Sequence, residues 1–477
     1  MPSVAVCDSL DDEFYPLINL FDLQVDETDG RLNLWRDDAN GEVAFRFQRE
    51  DIYRKYIGNV RTVGLSSRHM RLAVSVPITA GKMRHRLALQ VLNGAYHSEG
   101  QSAAIGWAGV LNADGPALRL GYCLDMGGHR FGVTAVWSRV DRRDQQTVIE
   151  RFPHSDTDRS MNQYFLDLLE PTVGREIRYD FQNDSWELEA GVLLRISDRI
   201  RLGGAVRLQR RQARVDSRYV NTGSRDDLRG VRLTDLLLSM GPGRYTIAFE
   251  RRLRDRWRFR MEAGYTTEHL RFQAVPRDVP QSSRGMRLDF EELASGAGNR
   301  NGIDLKARGM WTASDRFDLS LVMGWGRSTY RGRGEGTTPV LGFRLGVLPI
   351  AHRGEVDVSV TARSWGIGMQ VHRQWRRGDL KAGAMLGWAQ VPVRTEADAY
   401  LILGLSARPV RDLSPYRLVL YRFHATPSLR VFENIRLAYQ ATQHVILLTE
   451  AGTKKMKPPE QKVRGGLIHK LAVSYLF

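Results

Sequence analysis

The chain has 477 residues, of which 42% are hydrophobic, and its mean hydropathy is −0.37. No stretch reaches the roughly 18 consecutive apolar residues that a membrane-spanning helix needs, so a helical membrane protein is excluded. The 70 basic residues outnumber the 54 acidic ones, and because nine of the 70 are lysine, arginine dominates the net charge of +16. This arginine is spread along the chain rather than gathered in a patch or arm. That argues against nucleic acid and favours small anions, lipid head groups or acidic polymers as partners.

Residues 1–40 form an N-terminal segment that differs in charge from the rest. It is acidic, with Asp8, Asp11, Asp12 and Glu13 close together, and it has no basic, apolar leader. We expect either that a leader has been removed or that the protein reaches the outer membrane of an organelle from the cytosol. The segment is too short for a large plug domain, so we expect a small plug or a periplasmic extension before a barrel over residues 41–477.

From residue 41 to the end, apolar and polar residues alternate with period two, the pattern of strands that are apolar on one face. The clearest hairpin covers residues 186–208, with its turn at Ser197-Asp198. Three more hairpins share its construction, with turns at 127–128, 254–255 and 314–315. In each of them one face is apolar and aromatic, whereas the other face carries polar residues, many of them arginine.

The turns of these hairpins resemble one another. Asp198-Arg199, Asp255-Arg256 and Asp315-Arg316 lie about 60 residues apart, which is room for two long strands and one long loop on the opposite side. Short turns on one side and long loops on the other are typical of outer-membrane barrels. Within the long loops we predict short helices, two of which end near Gly241 and Gly296 and a third of which covers residues 164–169.

The length of the alternating runs separates a membrane barrel from a soluble all-β protein. Strands of soluble sheets average about 5–6 residues, whereas several runs here reach about 11–13, which suits tilted strands that cross an apolar slab. Aromatic residues lie near the ends of these runs, where interface girdles form, at Trp186, Trp257, Tyr265, Trp311 and Trp325. The sequence therefore predicts an all-β fold, a single antiparallel transmembrane β-barrel of about 16–18 strands.

The last residues carry a more specific pattern. Leu471, Val473, Tyr475 and Phe477 share one strand face, and the chain finishes on the aromatic residue. This closely resembles the terminal signal strand of bacterial outer-membrane β-barrel proteins. The resemblance implies a bacterial outer membrane and recognition of Tyr475 and Phe477 by the barrel-assembly machinery. An organellar outer membrane is the alternative.

The residues that usually carry catalysis or bind metals form no motif. The eleven histidines are scattered, and the two cysteines, Cys7 and Cys123, are neither paired with a nearby histidine motif nor spaced as metal ligands. We therefore predict no enzyme activity, no metal site and no cofactor.

The polar face of the strands is the remaining candidate site. If the apolar face meets lipid, eight basic side chains line the lumen: Arg195, Arg201, Arg207, Arg211, Arg258, Arg260, Lys306 and Arg308. Glu187, Glu189, Glu262, Asp304 and Asp318 are their candidate partners. Two interpretations stay open: ion pairs that brace the barrel interior, or surplus arginine that lines an anion path.

A second basic group, Lys454, Lys455, Lys457 and Lys462, precedes the last strand and is expected to meet lipid or a partner on the side opposite the C-terminus. The function predicted from the sequence is an outer-membrane channel or exporter for anionic solutes or acidic polysaccharide. The alternative is a plugged structural or assembly barrel that binds a partner protein or lipid.

Overall fold

The computed structural model describes most of the barrel wall and leaves residues 1–41 and most of the longer connections out. The described residues are 42–55, 63–102, 107–148, 175–221, 231–253, 256–276, 294–314, 316–339, 351–400, 410–451, 454–455 and 462–476. A search of these residues finds no helix with the length and apolarity to cross a membrane.

The described chain is a succession of long strands, most of them 14 to 25 residues in length. They are β1 (Glu42–Lys55), β2 (Val63–Ala80), β3 (Met83–Ser102), β4 (Trp107–Met126), β5 (His129–Val148), β6 (Arg175–Arg195), β7 (Ile200–Asn221), β8 (Val231–Leu253), β9 (Trp257–Pro276), β10 (Ala294–Ser314), β11 (Phe317–Pro339), β12 (Ala351–Trp375), β13 (Gly378–Tyr400), β14 (Val410–Arg430), β15 (Ile435–Ala451), β16 (Lys454–Lys455) and β17 (Lys462–Leu476).

The sheet closes on itself. From β1 to β15 each strand pairs antiparallel with the next one in the chain, β15 pairs with β17, and β17 pairs with β1, from Glu42 opposite Leu476 to Lys55 opposite Val463. The two residues of β16 pair only with the end of β15, so sixteen strands form the wall. The predicted all-β antiparallel barrel and its strand number of 16–18 are confirmed. Closure of the sheet pairs the backbone N–H and C=O groups that the two edge strands of an open sheet would expose to lipid.

The connections alternate in length as the sequence predicts. Turns of two to four residues lie on the side where β1 begins and β17 ends, at 81–82, 127–128, 196–199, 254–256, 315–316, 376–377 and 431–434. Gly127 and Gly128 form one of these turns with φ of 61° and 88°, values that glycine adopts without a steric penalty. We call this side the short-turn side and the opposite one the loop side.

Where the structure describes a segment predicted as a loop helix, that segment is a strand. Residues 234–240 belong to β8 and pair with β7 and β9 on both sides, so the helix predicted to end near Gly241 is wrong. The physical reason is that ladder hydrogen bonds to two neighbouring strands outweigh the local helix propensity of a leucine-rich run. The segments that precede Gly296, and residues 164–169, lie outside the described residues.

The apolar face of the wall points outwards. Ile247, Trp186 and Leu120 are 68%, 60% and 52% exposed, although they are large and hydrophobic. Their strand neighbours on the other face are more enclosed, as expected where side chains crowd on the concave side of a barrel. Trp257 and Tyr265 face outwards on β9 and are eight residues apart. That is about 26 Å along the strand and, because strands tilt by about 40°, about 20 Å along the barrel axis. That spacing is close to the height of an apolar band between two aromatic girdles.

Candidate functional site

All eight predicted basic residues lie on the face opposite the exposed apolar side chains, and thus on the inner face of β6, β7, β9 and β10. Their proposed part in anion passage stays a prediction, because position alone does not assign it. The structure does separate them into three environments, which differ in the carboxylates that lie close by.

The first environment is a row of arginines across five strands. Arg195 lies opposite Arg201, and Arg260 lies opposite Arg308, while Glu250 lies between Arg201 and Arg260. We call Arg195, Arg201, Arg260 and Arg308, together with Glu250, the arginine row. It holds four guanidinium groups and one carboxylate and crosses the lumen wall just inside the short-turn side.

Side chains next to the arginine row also contact its members and offset part of its charge. Arg260 also forms an ion pair with Glu262, and Arg308 Nη2 donates to the Ser320 hydroxyl at 3.3 Å. Arg195 is paired with Asp198 of the adjacent turn, but the side chain of Asp198 is 88% exposed. An exposed carboxylate is screened by water and salt, so this pair neutralises the row weakly.

The second environment is a clamp. Arg207 Nε lies 3.0 Å from Glu187 Oε1, and its Nη2 donates to Glu189 Oε2 at 3.3 Å. The three side chains are only 16–20% exposed. One guanidinium held by two carboxylates ties β6 to β7, so Arg207 fits the bracing interpretation.

Lys306 and two residues that sequence reasoning missed belong to the same kind of brace. Arg244 Nη2 donates to Asp304 Oδ2 at 2.6 Å, and Lys306 Nζ lies 3.7 Å from the same oxygen. Further towards the loop side, Arg300 pairs with Glu268 at 3.3 Å. The sequence pattern does not identify Arg244 as a lumen residue, because the alternation of apolar and polar residues in β8 is interrupted at Gly241-Pro242, just before it.

The third environment has no carboxylate partner among the described residues. The Arg211 guanidinium donates to the Gln209 side-chain oxygen at 3.0 Å from Nη2, in the amide orientation that satisfies both groups. Arg258 is exposed at the short-turn end of β9. Both positions therefore keep a positive charge that no described carboxylate offsets.

Asp318, predicted as a partner for the lumen arginines, lies elsewhere. Its Oδ2 is 3.4 Å from Nδ1 of His372 on β12. Period-two alternation does not reveal this contact, because strand pairing brings together residues more than fifty positions apart.

The opposite part of the inner wall has a different composition. Met385, Ala389, Leu418, Leu420 and Ile446 form an apolar cluster in which every side chain is at most 6% exposed. Glycines fill the space between them, and Gly387 lies opposite Leu420. We call this cluster on β13–β15, with the glycines beside it, the packed wall, and we call the inner faces of β6–β10 the charged wall.

The remaining predicted residues are distributed as follows. Tyr475 faces outwards on β17, is 47% exposed and pairs with Val43 of β1. Phe477 and Lys457 lie outside the described residues, whereas Lys454 and Lys455 form β16 and Lys462 begins β17 on the loop side. Their assignments as assembly signal and lipid or partner loop stay predictions.

No group of three or more histidine, cysteine or acidic side chains that would hold a metal ion occurs in the part of the chain that the structure describes.

No protein-family model matches the chain, and no curated protein matches it significantly. Several solved structures resemble it in overall course. A FadL homologue from Pseudomonas aeruginosa is 11% identical, with 92% of this chain and 90% of that chain covered and a TM-score of 0.41. The toluene transporter TodX of P. putida is 10% identical, with coverages of 92% and 91% and a TM-score of 0.39. The translocator domain of the autotransporter NalP from Neisseria meningitidis is 9% identical, with coverages of 100% and 98% and a TM-score of 0.33.

The assignment of the fold rests on the chain's own strand pairing and outward apolar face. On those grounds the protein is a transmembrane β-barrel of the outer-membrane type.

Proposed function

We propose that this barrel is a channel of the bacterial outer membrane that passes anionic solutes or acidic polymer through its lumen past the arginine row. The observation that carries the proposal is the composition of that row, four guanidinium groups and one carboxylate on neighbouring strands. Like charges directly opposite one another destabilise a sheet. An arrangement that costs stability and faces the lumen is most simply explained by a ligand of opposite charge.

The chemistry of arginine suits this role. Its planar guanidinium offers paired donors that match carboxylate and phosphate groups, and it remains charged at any physiological pH. Charges on low-dielectric walls focus the field in the lumen and raise the local concentration of anions. Arg258 extends the positive surface towards the short-turn side, and Arg211 adds a separate positive charge nearer the loop side.

The proposal is tested by the reversal potential in planar bilayers under a salt gradient. The parent protein is expected to prefer anions. Neutralising two row members, Arg201→Gln with Arg308→Gln, is expected to reduce that preference. The matched control is Arg210→Gln, because Arg210 is an exposed, outward-facing neighbour of lumen-facing Arg211. Cation preference in the parent, or an unchanged reversal potential in the double variant, would remove the anion path.

A plugged scaffold that binds a partner protein or lipid is the second candidate, and the Arg207 clamp favours it. Ion pairs of this kind rigidify a wall without requiring an open lumen. The two candidates differ in a single measurement, because a plugged scaffold conducts no current in either the parent or the variants.

A further inference from the structure

Two arginines lie side by side on the outer face of the wall. Arg327 of β11 is directly opposite Arg363 of β12 in the strand register, and both side chains are exposed. One step nearer the short-turn side, Trp325 lies opposite Trp365, and these two side chains are 42% and 45% exposed. Because this face points away from the lumen, the proposed channel function does not use it.

The two arginines lie at the loop-side border of the apolar band. On β12 the outward residues between Arg363 and Arg373 are all apolar, and they are Trp365, Ile367, Met369 and Val371. Arg363 and Arg373 are ten residues apart. That is about 33 Å along the strand and about 25 Å along the barrel axis, which matches the height of the apolar band of outer-membrane barrels. Arg327 and Arg363 therefore lie at the level of the lipid head groups.

The outward positions on the loop side of the pair carry hydrogen-bond donors and no carboxylate. The next row pairs Thr329 with Thr361, and the row after it pairs Arg331 with Ser359. The flanking positions on β10 and β13 in the same three rows hold no acidic residue. All of these positions are described, so the absence of a carboxylate from the three rows follows from the sequence and the register. Five residues make up what we call the outer basic patch: Arg327, Arg363, Thr329, Thr361 and Arg331.

On β10–β13, outward carboxylates begin in the row beyond the outer basic patch, with Asp357 of β12 opposite Glu396 of β13. This row is six residues from Arg363 along β12, which is about 20 Å. That distance exceeds the screening length of about 8 Å at physiological salt. These carboxylates therefore do not offset the charge of Arg327 and Arg363.

The corresponding part of the outer wall on β4–β6 has the opposite charge. In the row beyond Trp137, Arg139 lies opposite Asp184. Arg139 Nε also lies 3.6 Å from Asp141 Oδ2, and Asp141 lies opposite Asp114. This part of the border thus combines one arginine with three carboxylates. Arginines that only extend from the apolar band to water need no concentration on two strands, so the outer basic patch is a local feature of β11 and β12.

We infer that the outer basic patch binds a phosphate monoester on the head group of a lipid in the loop-side leaflet. Directly opposite residues have Cα atoms about 4.5–5.5 Å apart, so the two guanidinium groups reach a single phosphate. Without an anion, like charges in this position destabilise the sheet. A phosphate monoester carries a charge close to −2 and three acceptor oxygens, which suits two guanidinium groups that each offer paired donors.

The neighbouring aromatic residues favour a lipid over a soluble anion. Trp365 lies beside Trp388 of β13, with ring centroids 6.3 Å apart, and the apolar band continues from them towards the short-turn side. A phosphorylated lipid meets the arginines with its head group and the apolar band with its acyl chains. Long loops of outer-membrane barrels are extracellular, so this leaflet is the outer one. The inference does not depend on anion passage through the lumen.

The test measures the binding of lipid A, which carries phosphate monoesters, to the full chain in a nonionic detergent. Native mass spectrometry counts the lipids bound at each concentration. The site variant carries Arg327→Gln and Arg363→Gln. The control variant carries Arg139→Gln and Arg210→Gln, at exposed, outward-facing positions near the same border of the apolar band. Heat-modified migration on gels verifies that each variant is a folded barrel.

The parent is expected to bind lipid A at least about fourfold more tightly than the site variant, because each exposed ion pair contributes about a factor of two or more. The control variant is expected to bind lipid A like the parent. Lipid A without its phosphates is expected to bind the parent at least about fourfold more weakly than intact lipid A. This last comparison uses the parent alone, so it holds even if the site variant does not fold.

Equal binding of intact and dephosphorylated lipid A by the parent would overturn the site, and so would equal losses in the site variant and the control variant. If phosphatidylglycerol binds the parent as tightly as lipid A does, the monoester is wrong and the site takes a phosphate diester. The reversal potential of the site variant is expected to equal that of the parent. Failure of the lipid site and failure of the anion channel are therefore separate outcomes.

Discussion

The charged wall and the packed wall achieve a closed lumen surface by different means. On the charged wall, long side chains span the gaps between strands and meet as ion pairs, as in the contacts of Arg207 with Glu187 and Glu189. On the packed wall the backbones are covered by small and aliphatic residues, and Ala389 has no exposed surface. One wall keeps charge available at the lumen surface, and the other gains its stability from close packing.

The difference between the two walls predicts which kind of substitution each of them tolerates. Where side chains are closely packed, the free energy of unfolding falls as more volume is removed or added. Where side chains form ion pairs, the free energy of unfolding falls when a carboxylate or a guanidinium is left without its partner. Each wall is therefore expected to be sensitive to a change that the other accepts.

The largest effect is expected from Leu420→Ala on the packed wall. Leu420 is 3% exposed and packs in the apolar cluster, so its truncation leaves a cavity and costs about 3 kcal/mol of unfolding free energy. Urea unfolding in detergent measures it. The control is Leu120→Ala, whose side chain is 52% exposed on the outer face. Equal losses at the two positions would mean that the inner cluster is not closely packed.

A smaller loss, about 2 kcal/mol, is expected from Arg207→Ala on the charged wall. The reason is that Glu187 and Glu189 are left close together without a cation. Adding Glu187→Gln and Glu189→Gln to the variant is expected to restore much of the stability, as followed by the same unfolding transition. If the triple variant is no more stable than Arg207→Ala, the clamp is not electrostatic.

The smallest of the three effects is expected from one added methyl group at Gly383, which lies two residues from Met385 on the inner face of β13 and opposite His424. A Cβ there would lie 2.5 Å from His424 Cε1 and 2.8 Å from the Met369 carbonyl oxygen, so Gly383→Ala is expected to cost about 1–2 kcal/mol. The matched change on the charged wall is Gly203→Ala, where a Cβ meets its neighbours at 3.5–3.6 Å. That variant is expected to unfold with the parent, and a loss as large as that of Gly383→Ala would contradict the contrast between the walls.

On the charged wall, both the strands and the direction that each side chain faces could be predicted from the sequence, because the inner and outer faces differ in polarity. In β6 and β7 the outward positions are apolar and the inward ones are Glu or Arg, so a period-two pattern reveals both strand and facing. Near the middle of β12 and β13 the inward residues include Gly366, Gly368, Met385 and Gly387, which differ little in polarity from the outward ones. There the pattern weakens, and the packed wall was not foreseen.

The candidate site was predicted in its residues but not in its arrangement. Alternation assigns Arg201 and Arg308 to the inner face, yet it does not say which residue lies opposite. That information comes from strand register, which depends on turn lengths and on the irregularity of β8 at Gly241-Pro242. The arginine row, the Arg207 clamp and the contact of Asp318 with His372 all required the register.

Successive hairpins are joined on the short-turn side by the same kind of hydrogen bond, which is accepted by the carbonyl oxygens of Arg199, Arg256, Arg316 and Arg377. This side of the barrel is therefore modular. Each hairpin from β6 to β13 offers an acceptor to the hairpin that follows, and each following hairpin offers a donor in return. A hairpin duplicated or deleted as a whole would therefore present its neighbours with the same junction that they already have. The wall can change its circumference in steps of two strands while every junction keeps its form.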